Sequence, residues 1–285
     1  MKPAARSAIL LLFPFLALLS GCSRQASAPD DRLEAIREAG VLRVAAFDGN
    51  PPFGFIDSGS NEIRGLDVDI AHELANRLGV KLELVPTNPA NRIPLLQSGR
   101  ADLVLANFTI TPERAQQVEF SIPYFASGQQ FLARKGTLSS PDQLDALRIG
   151  VDKGTTNEAV LRQKYPGATL IAYDDTPFAF TALRNGNVDA ITQDGPKLVG
   201  LLANVPDAGQ YEIPPFSISD DLIGVGIPKG ELQLKEFVDS VLLELEASGR
   251  AQQIHDAWFG PDTRTPLPRL YRIGQQAAPP GAGMH

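Results

Sequence analysis

The residues of this chain best suited to chemistry are those that could hold a small zwitterion. Arg114 offers a planar fork of donors able to take a carboxylate bidentately. It lies in "ANFTITPERAQQ" (106–117), where Thr111 reads as a helix N-cap, Pro112 as the first helical residue, and Glu113 follows. Free N–H groups at a helix start favour anions too, and Thr109, just before the turn, adds a hydroxyl and an N–H. In "DKGTTNE" (152–158), Gly154 marks a tight turn and Thr155 and Thr156 open a helix with donors outward. "DAITQDG" (189–195) ends a strand with Asp194, placed to take an ammonium where open α/β sheets bind ligands. Singly, a surface arginine, a helix cap and a loop aspartate are common, and spacing alone does not make them converge.

Other chemistries find little support. His72, His255 and His285 are scattered without ligand spacing, the first two reading as exposed helix residues, so no metal site is expected. No P-loop, dinucleotide fingerprint or Gly-x-Ser-x-Gly elbow occurs, and no cofactor is expected. Asp67 and Asp69 sit at a helix start, where the dipole explains them without catalysis.

The elements that must position these residues alternate between strand and helix, which argues for α/β layers. "VLRVAAF" (41–47) is a buried strand; Ile70, Leu74 and Leu78 mark one core face of a helix; "VKLELV" (80–85) alternates as a strand. "RIPLLQSGR" is a short helix and "ADLVLA" the next strand. The second half repeats this grammar: "SPDQLDA" as a capped helix start, then "LRIGVDKG", "TTNEAVLRQKY", "ATLIAY", "TPFAFTALRNG" and "VDAITQDG". Roughly 240 folded residues exceed one compact core and imply two lobes. Two apolar runs ending in Lys-Gly, "QQFLARKG" (129–136) and "LIGVGIPKG" (222–230), bracket the second group and are the expected crossings between lobes, or else two more sheet strands. Leu234, Phe237, Val238, Val241, Leu242 and Leu245 then define a long amphipathic helix ended by Gly249, with Ile254 and Trp258 inward on a shorter one. Beyond Pro261 a proline-rich extended arm is expected.

At the N-terminus, Lys2 and Arg6 precede an uncharged apolar run, Ala8 to Leu19, too short to span a bilayer and patterned like an export signal. It closes at "LSGC", which resembles the bacterial lipoprotein lipobox and implies acylation of Cys22, the only cysteine, by chains enough to anchor it. Residues 1–21 then form the signal peptide and 22–37 the anchor and a flexible tether. Removing Lys2 and Arg6 from 26 basic residues leaves 24 against 33 acidic ones, a side-chain charge of −9. No basic stripe points to nucleic acid.

"GLDVDIAHELANRL" (65–78), "FTITPERAQQVEFSIPYF" (108–125), "GVDKGTTNE" (150–158) and "VDAITQDG" (188–195) resemble, in order, the landmarks of the bacterial extracellular solute-binding proteins of polar amino-acid ABC importers. The resemblance covers about residues 38 to 260. It implies an α/β, two-lobed periplasmic-binding-protein fold of the second type with two crossover hinge strands: lobe one from 38–130 plus 224–260, lobe two from 131–223, and an arm over 261–285. It further implies that Arg114 binds the α-carboxylate of a free amino acid with Thr109 and Thr156, and that Asp194 binds the α-ammonium with the main-chain carbonyl of Asn107. Closure on the ligand would present a monomeric, loaded carrier, anchored at the periplasmic or cell-surface side of a membrane, to its ABC permease.

Around the ligand side chain the sequence departs from the family. Phe47 stands where binders of basic amino acids place an aspartate, Asn50 where an aromatic often covers the side chain, and Leu66 in place of the aromatic of the "GFD" motif, which weakens the stacking platform and leaves Phe47 and Phe108 to replace part of it. Asp152 either faces the ligand side chain, disfavouring an acidic ligand unless Lys153 or another base compensates, or is an exposed turn residue. A neutral polar or small amino acid is the expected ligand. Two alternatives remain: a cyclohexadienyl-dehydratase-like enzyme on this fold, which needs a catalytic acid and usually loses the ammonium anchor that Asp194 retains, and a sensor, which would be joined to membrane-spanning and signalling segments.

Overall fold

Val41–Phe47 is buried along most of its length because it lies second in a five-stranded sheet, between Lys81–Thr87 and Leu103–Val104. These three strands are parallel; Gly226–Pro228 adds antiparallel to Leu103–Val104, and Val118–Phe120 completes the sheet. The computed structural model describes residues 31–275, and the expected signal peptide and Cys22 fall outside them. A second sheet repeats the plan in the order Thr169–Tyr173, Arg148–Asp152, Ala190–Asp194, Gln129–Arg134, Tyr211–Glu212. In each sheet an antiparallel strand from elsewhere in the chain follows three parallel ones.

Helices cover both sheets with their apolar faces. Leu66–Leu78 buries Ile70 and Leu74, and Leu232–Ala247 buries Leu234, Val238, Val241, Leu242 and Leu245 in the same cluster as strand residues Leu42 and Val44. In the second lobe Thr176–Arg184 and Gly195–Leu202 pack Ala179, Leu183 and Leu198 against Ile191 and Leu132. This is the two-lobed arrangement that the resemblance implies.

The crossings fall elsewhere than expected. Phe125–Ser127 and Asp221–Ile223 run antiparallel as a separate two-stranded ribbon joining the lobes. Gln129–Arg134 lies inside the second sheet, because Phe131, Leu132 and Ala133 are fully buried, apolar on both faces, as an interior strand requires. Of 222–230 only the first residues cross; Gly226–Pro228 belongs to the first sheet.

The N-terminal end of the described chain is more structured than expected, and the extended C-terminal arm packs on the first lobe. The tether over 22–37 is contradicted from Arg32 onward: Arg32–Ala39 is a helix capped by Asp31, with Leu33 and Ile36 in the core. Asp102, buried, accepts from Arg32 Nε at 2.8 Å and from the Arg43 main chain at 2.8 Å, fixing that helix to the first sheet. At the other end Ile273 is buried, Leu267 packs on the core, and Arg269 and the Ile273 N–H both bond Glu246. His255, expected on the surface, is buried against Phe259 at 5.2 Å because its helix turns that face into the first lobe.

Candidate functional site

The carboxyl ends of the two sheets meet across a cleft. Asp194 ends its strand as the residue preceding Gly195–Leu202, yet its carboxylate makes no capping bond. Instead it is 2 % exposed, and Asn107 of the first lobe donates to its Oδ2 through Nδ2. Asn107 has a left-handed backbone, φ 44°, unusual for a residue with a side chain. Asp67 holds that conformation, its Oδ2 accepting the Asn107 N–H at 2.8 Å and its Oδ1 the Tyr124 hydroxyl at 2.7 Å. Burial outweighs both bonds and pushes the Asp67 carboxyl up to about 7.

Arg114 comes from the first lobe. The short helix Pro112–Ala115 is capped by Thr111, whose hydroxyl accepts from the Arg114 N–H at 3.2 Å, and the guanidinium is buried. It donates to the Thr109 carbonyl at 2.8 Å and, across the cleft, to the Gly154 carbonyl at 3.0 Å, with its carbon 4.8 Å from the centre of the Phe108 ring. Burial lowers its pKa to about 10, so it remains a cation at neutral pH. Gly154 is left-handed at φ +73°, and a Cβ there would come within 3.1 Å of Ala90 Cα, so the turn needs glycine for both backbone shape and lobe contact.

One cavity is lined by Arg114, Asp194, Thr109, Thr155, Thr156, Asn107 and Phe47, seven of the residues singled out in the sequence. Its free space is only about 10 Å³, room for one water, so an amino acid enters only by parting the lobes or moving side chains. The others lie outside it. Phe108 packs beneath the Arg114 guanidinium. Asn50 is at the interface instead, donating to Asp175 Oδ1 of the other lobe at 2.8 Å. Leu66 faces the apolar core of the first lobe, packed with Ile70, because the helix it opens points that face inward. Asp152 is not an exposed turn residue: it is 1 % exposed and accepts from Thr176 Oγ1 at 2.6 Å and from Gln193 Nε2 at 2.7 Å. The Asn107 carbonyl, expected beside the ligand's ammonium, accepts from Arg92 at 3.1 Å, while the side chain of Asn107 donates to Asp194.

Arg92, Lys197, Asn157 and Gln193 also line the cavity and escaped the sequence reading. A signal for the first two existed. Arg92 begins Arg92–Gln97 and Lys197 is third in Gly195–Leu202, and a cation in the first turn of a helix opposes the dipole. Such residues are placed for something other than their own helix. Arg92 bonds the carbonyls of Pro89, Ala106, Asn107 and Gly154 and lies 4.6 Å from the Phe108 ring centre, cementing the floor of the site. Asn107 Oδ1 and Asn157 Oδ1 are buried acceptors with no partner among the described residues, on either side of Asp194. Among the described residues no cluster of His, Cys, Asp or Glu is arranged to hold a metal.

Fold and site thus define a two-lobed binding protein for a small charged solute. Residues 42–261 match the bacterial extracellular solute-binding proteins, family 3, and the chain belongs to that family. It is 34 % identical over 250 residues to the L-cystine-binding protein of Escherichia coli (strain K12), covering 87 % of this chain and 93 % of that one. To the ABC transporter glutamine-binding protein of Bacillus subtilis (strain 168) it is 30 % identical, over 92 % of this chain and 99 % of the relative. The solved cysteine-binding protein of Campylobacter jejuni superposes with a TM-score of 0.77 at 30 % identity, over 84 % of this chain and 97 % of that structure. Further matches carry arginine in their names.

Proposed function

We propose that this chain is the extracytoplasmic amino-acid-binding component of an ABC importer, capturing a neutral polar or small L-amino acid and delivering it to a membrane permease. The observation that carries this is the meeting of Arg114 and Asp194, from different lobes, on one buried cavity. Arg114, with Thr109 and Thr156, is the carboxylate anchor, exchanging its main-chain partners for the ligand; Asp194, Asn107 and Asn157 take the ammonium. A zwitterion needs both halves, so it favours the state in which the lobes are together. The ribbon of Phe125–Ser127 and Asp221–Ile223 is the hinge.

The relatives are named for different amino acids, so the ligand must be read from the site. Phe47 lines the cavity where a basic side chain would need a carboxylate, and Asp152 lies outside the lining with its Oδ2 held by Thr176 and Gln193. Cysteine, cystine and glutamine are the first ligands to test. Acylation of Cys22 would hold the protein, as a monomer, at the periplasmic or cell-surface side of a membrane. Calorimetric titration with every amino acid and with cystine tests the reading: one or a few neutral ligands should bind tightly. Tight binding of arginine or glutamate alone would overturn the ligand class, and binding of none would overturn the function.

A further inference from the structure

Three cationic side chains line the cavity, and two of them have oxygen partners in this structure. Arg92 and Arg114 direct their donors at main-chain carbonyls. Lys197 does not. It is 3 % exposed, with Nζ 4.9 Å from the centre of the Phe47 ring of the opposite lobe, and no carboxylate oxygen among the described residues lies within ion-pair distance of it. Of the polar neighbours, Gln193 bonds Asp152, Asn157 and the Asp194 N–H, and Asp152 accepts through Oδ2 from Thr176 and Gln193, its Oδ1 being buried without a partner among the described residues and outside ion-pair distance of Lys197. A buried ammonium without an oxygen partner is unfavourable, and burial holds the Lys197 pKa below its ordinary value even with Asp152, Asp175 and Asp194 in range.

Resting on the amino-acid reading above, we infer that Lys197 is a specificity-determining residue that bonds an oxygen acceptor, carboxamide or carboxylate, on the ligand's side chain. With Arg114 and Asp194 assigned to the ligand's main chain, Lys197 is the cavity donor left for the rest of it. Its ammonium faces the Phe47 wall, so a ligand chain lying along that ring would end at Nζ. A second positive charge there would meet Lys197 with Arg92 close by, which rejects lysine and arginine as ligands by repulsion.

Lys197→Met keeps the straight, buried chain and removes the donor; Lys197→Gln keeps a donor and removes the charge. Calorimetry on the unchanged protein and both variants, with glutamine, glutamate, cystine and the apolar near-isostere methionine, separates the outcomes. Lys197→Met should weaken binding of the oxygen-bearing ligand by about tenfold or more, the effect of one charged hydrogen bond, while methionine binds no worse. Lys197→Gln should spare a carboxamide ligand and weaken one that ends in a carboxylate, cystine included, which tells the two acceptor sources apart. Equal weakening for all ligands, methionine included, would make Lys197 a structural partner of Asp152 and overturn the inference. Unchanged selectivity in Lys197→Met would overturn it as well. If the unchanged protein binds no amino acid, the functional reading itself fails, a result distinct from either.

Discussion

Asn107 on the first lobe donates through Nδ2 to Asp194 Oδ2 on the second, and the Asn107 N–H is itself held by Asp67. The proposed ammonium anchor is therefore bonded across the cleft to a residue whose strained backbone is fixed by a buried carboxyl. Asp67, Asn107 and Asp194 act as one relay: the first lobe shapes Asn107, and Asn107 orients the carboxylate of the second.

Replacing Arg114 by alanine should abolish amino-acid binding while leaving the fold intact. Truncating one partner of a buried charged contact costs about 2–5 kcal/mol, roughly thirtyfold to several thousandfold in affinity. Calorimetry reads the loss and circular dichroism the fold. Native affinity in Arg114→Ala would mean that the ligand's carboxylate lies elsewhere.

Asn50→Ala removes the 2.8 Å bond to Asp175 without touching the cavity lining. Its loss should cost about 1 kcal/mol, roughly fivefold in affinity, and the effect should be the same for every ligand because it acts on lobe closure. A change in ligand preference would instead return Asn50 to the side-chain pocket, where the family resemblance had put it.

The sheets and helices could be read from the chain because alternation and 3.6-residue spacing are local: the faces of Leu66–Leu78 and Leu232–Ala247 fell as their apolar positions required. The crossings could not, since Gln129–Arg134 and a lobe-joining strand share the same apolar pattern and differ only in which distant strand they pair with. Arg114 and Asp194 were found because a cap and a strand end announce them. Lys197 and Arg92 passed as ordinary charges of short helices, and what distinguishes them is the opposite lobe. Asp152 had only two readings, ligand contact or exposed turn, whereas its hydroxyl and amide donors come from Thr176 and Gln193, positions that sequence distance does not connect.

Asp67 should give the protein a pH-dependent stability. Burial, opposed by its bonds to Tyr124 and Asn107, raises its pKa from 3.8 to about 7, so folding binds a proton there between those values. The stability this group contributes is complete below pH 3.8, declines as pH rises through the window, and is gone above about 7. Asp67→Asn cannot titrate and offers one acceptor oxygen for two donors. Urea unfolding should show the advantage of the unchanged protein over this variant shrinking from pH 4 to pH 7.5. A difference independent of pH would show that Asp67 keeps one protonation state on folding.

Gly200 provides a test of closure remote from the ligand. It lies within Gly195–Leu202, and a Cβ built on it would come 2.2 Å from the Pro51 carbonyl oxygen of the other lobe. Within the helix alone alanine is better than glycine by about 1 kcal/mol, so Gly200→Ala should not lower the melting temperature of the unliganded protein. Across the cleft the added methyl forces the lobes apart, and overpacking of this kind costs about 1–3 kcal/mol. Ligand affinity should therefore fall about tenfold or more with no residue of the cavity changed. If Gly200→Ala bound its ligand as tightly as the unchanged protein, the liganded state would not bring Pro51 onto this helix, and the approach of the lobes seen here would not be the one that ligand binding stabilises.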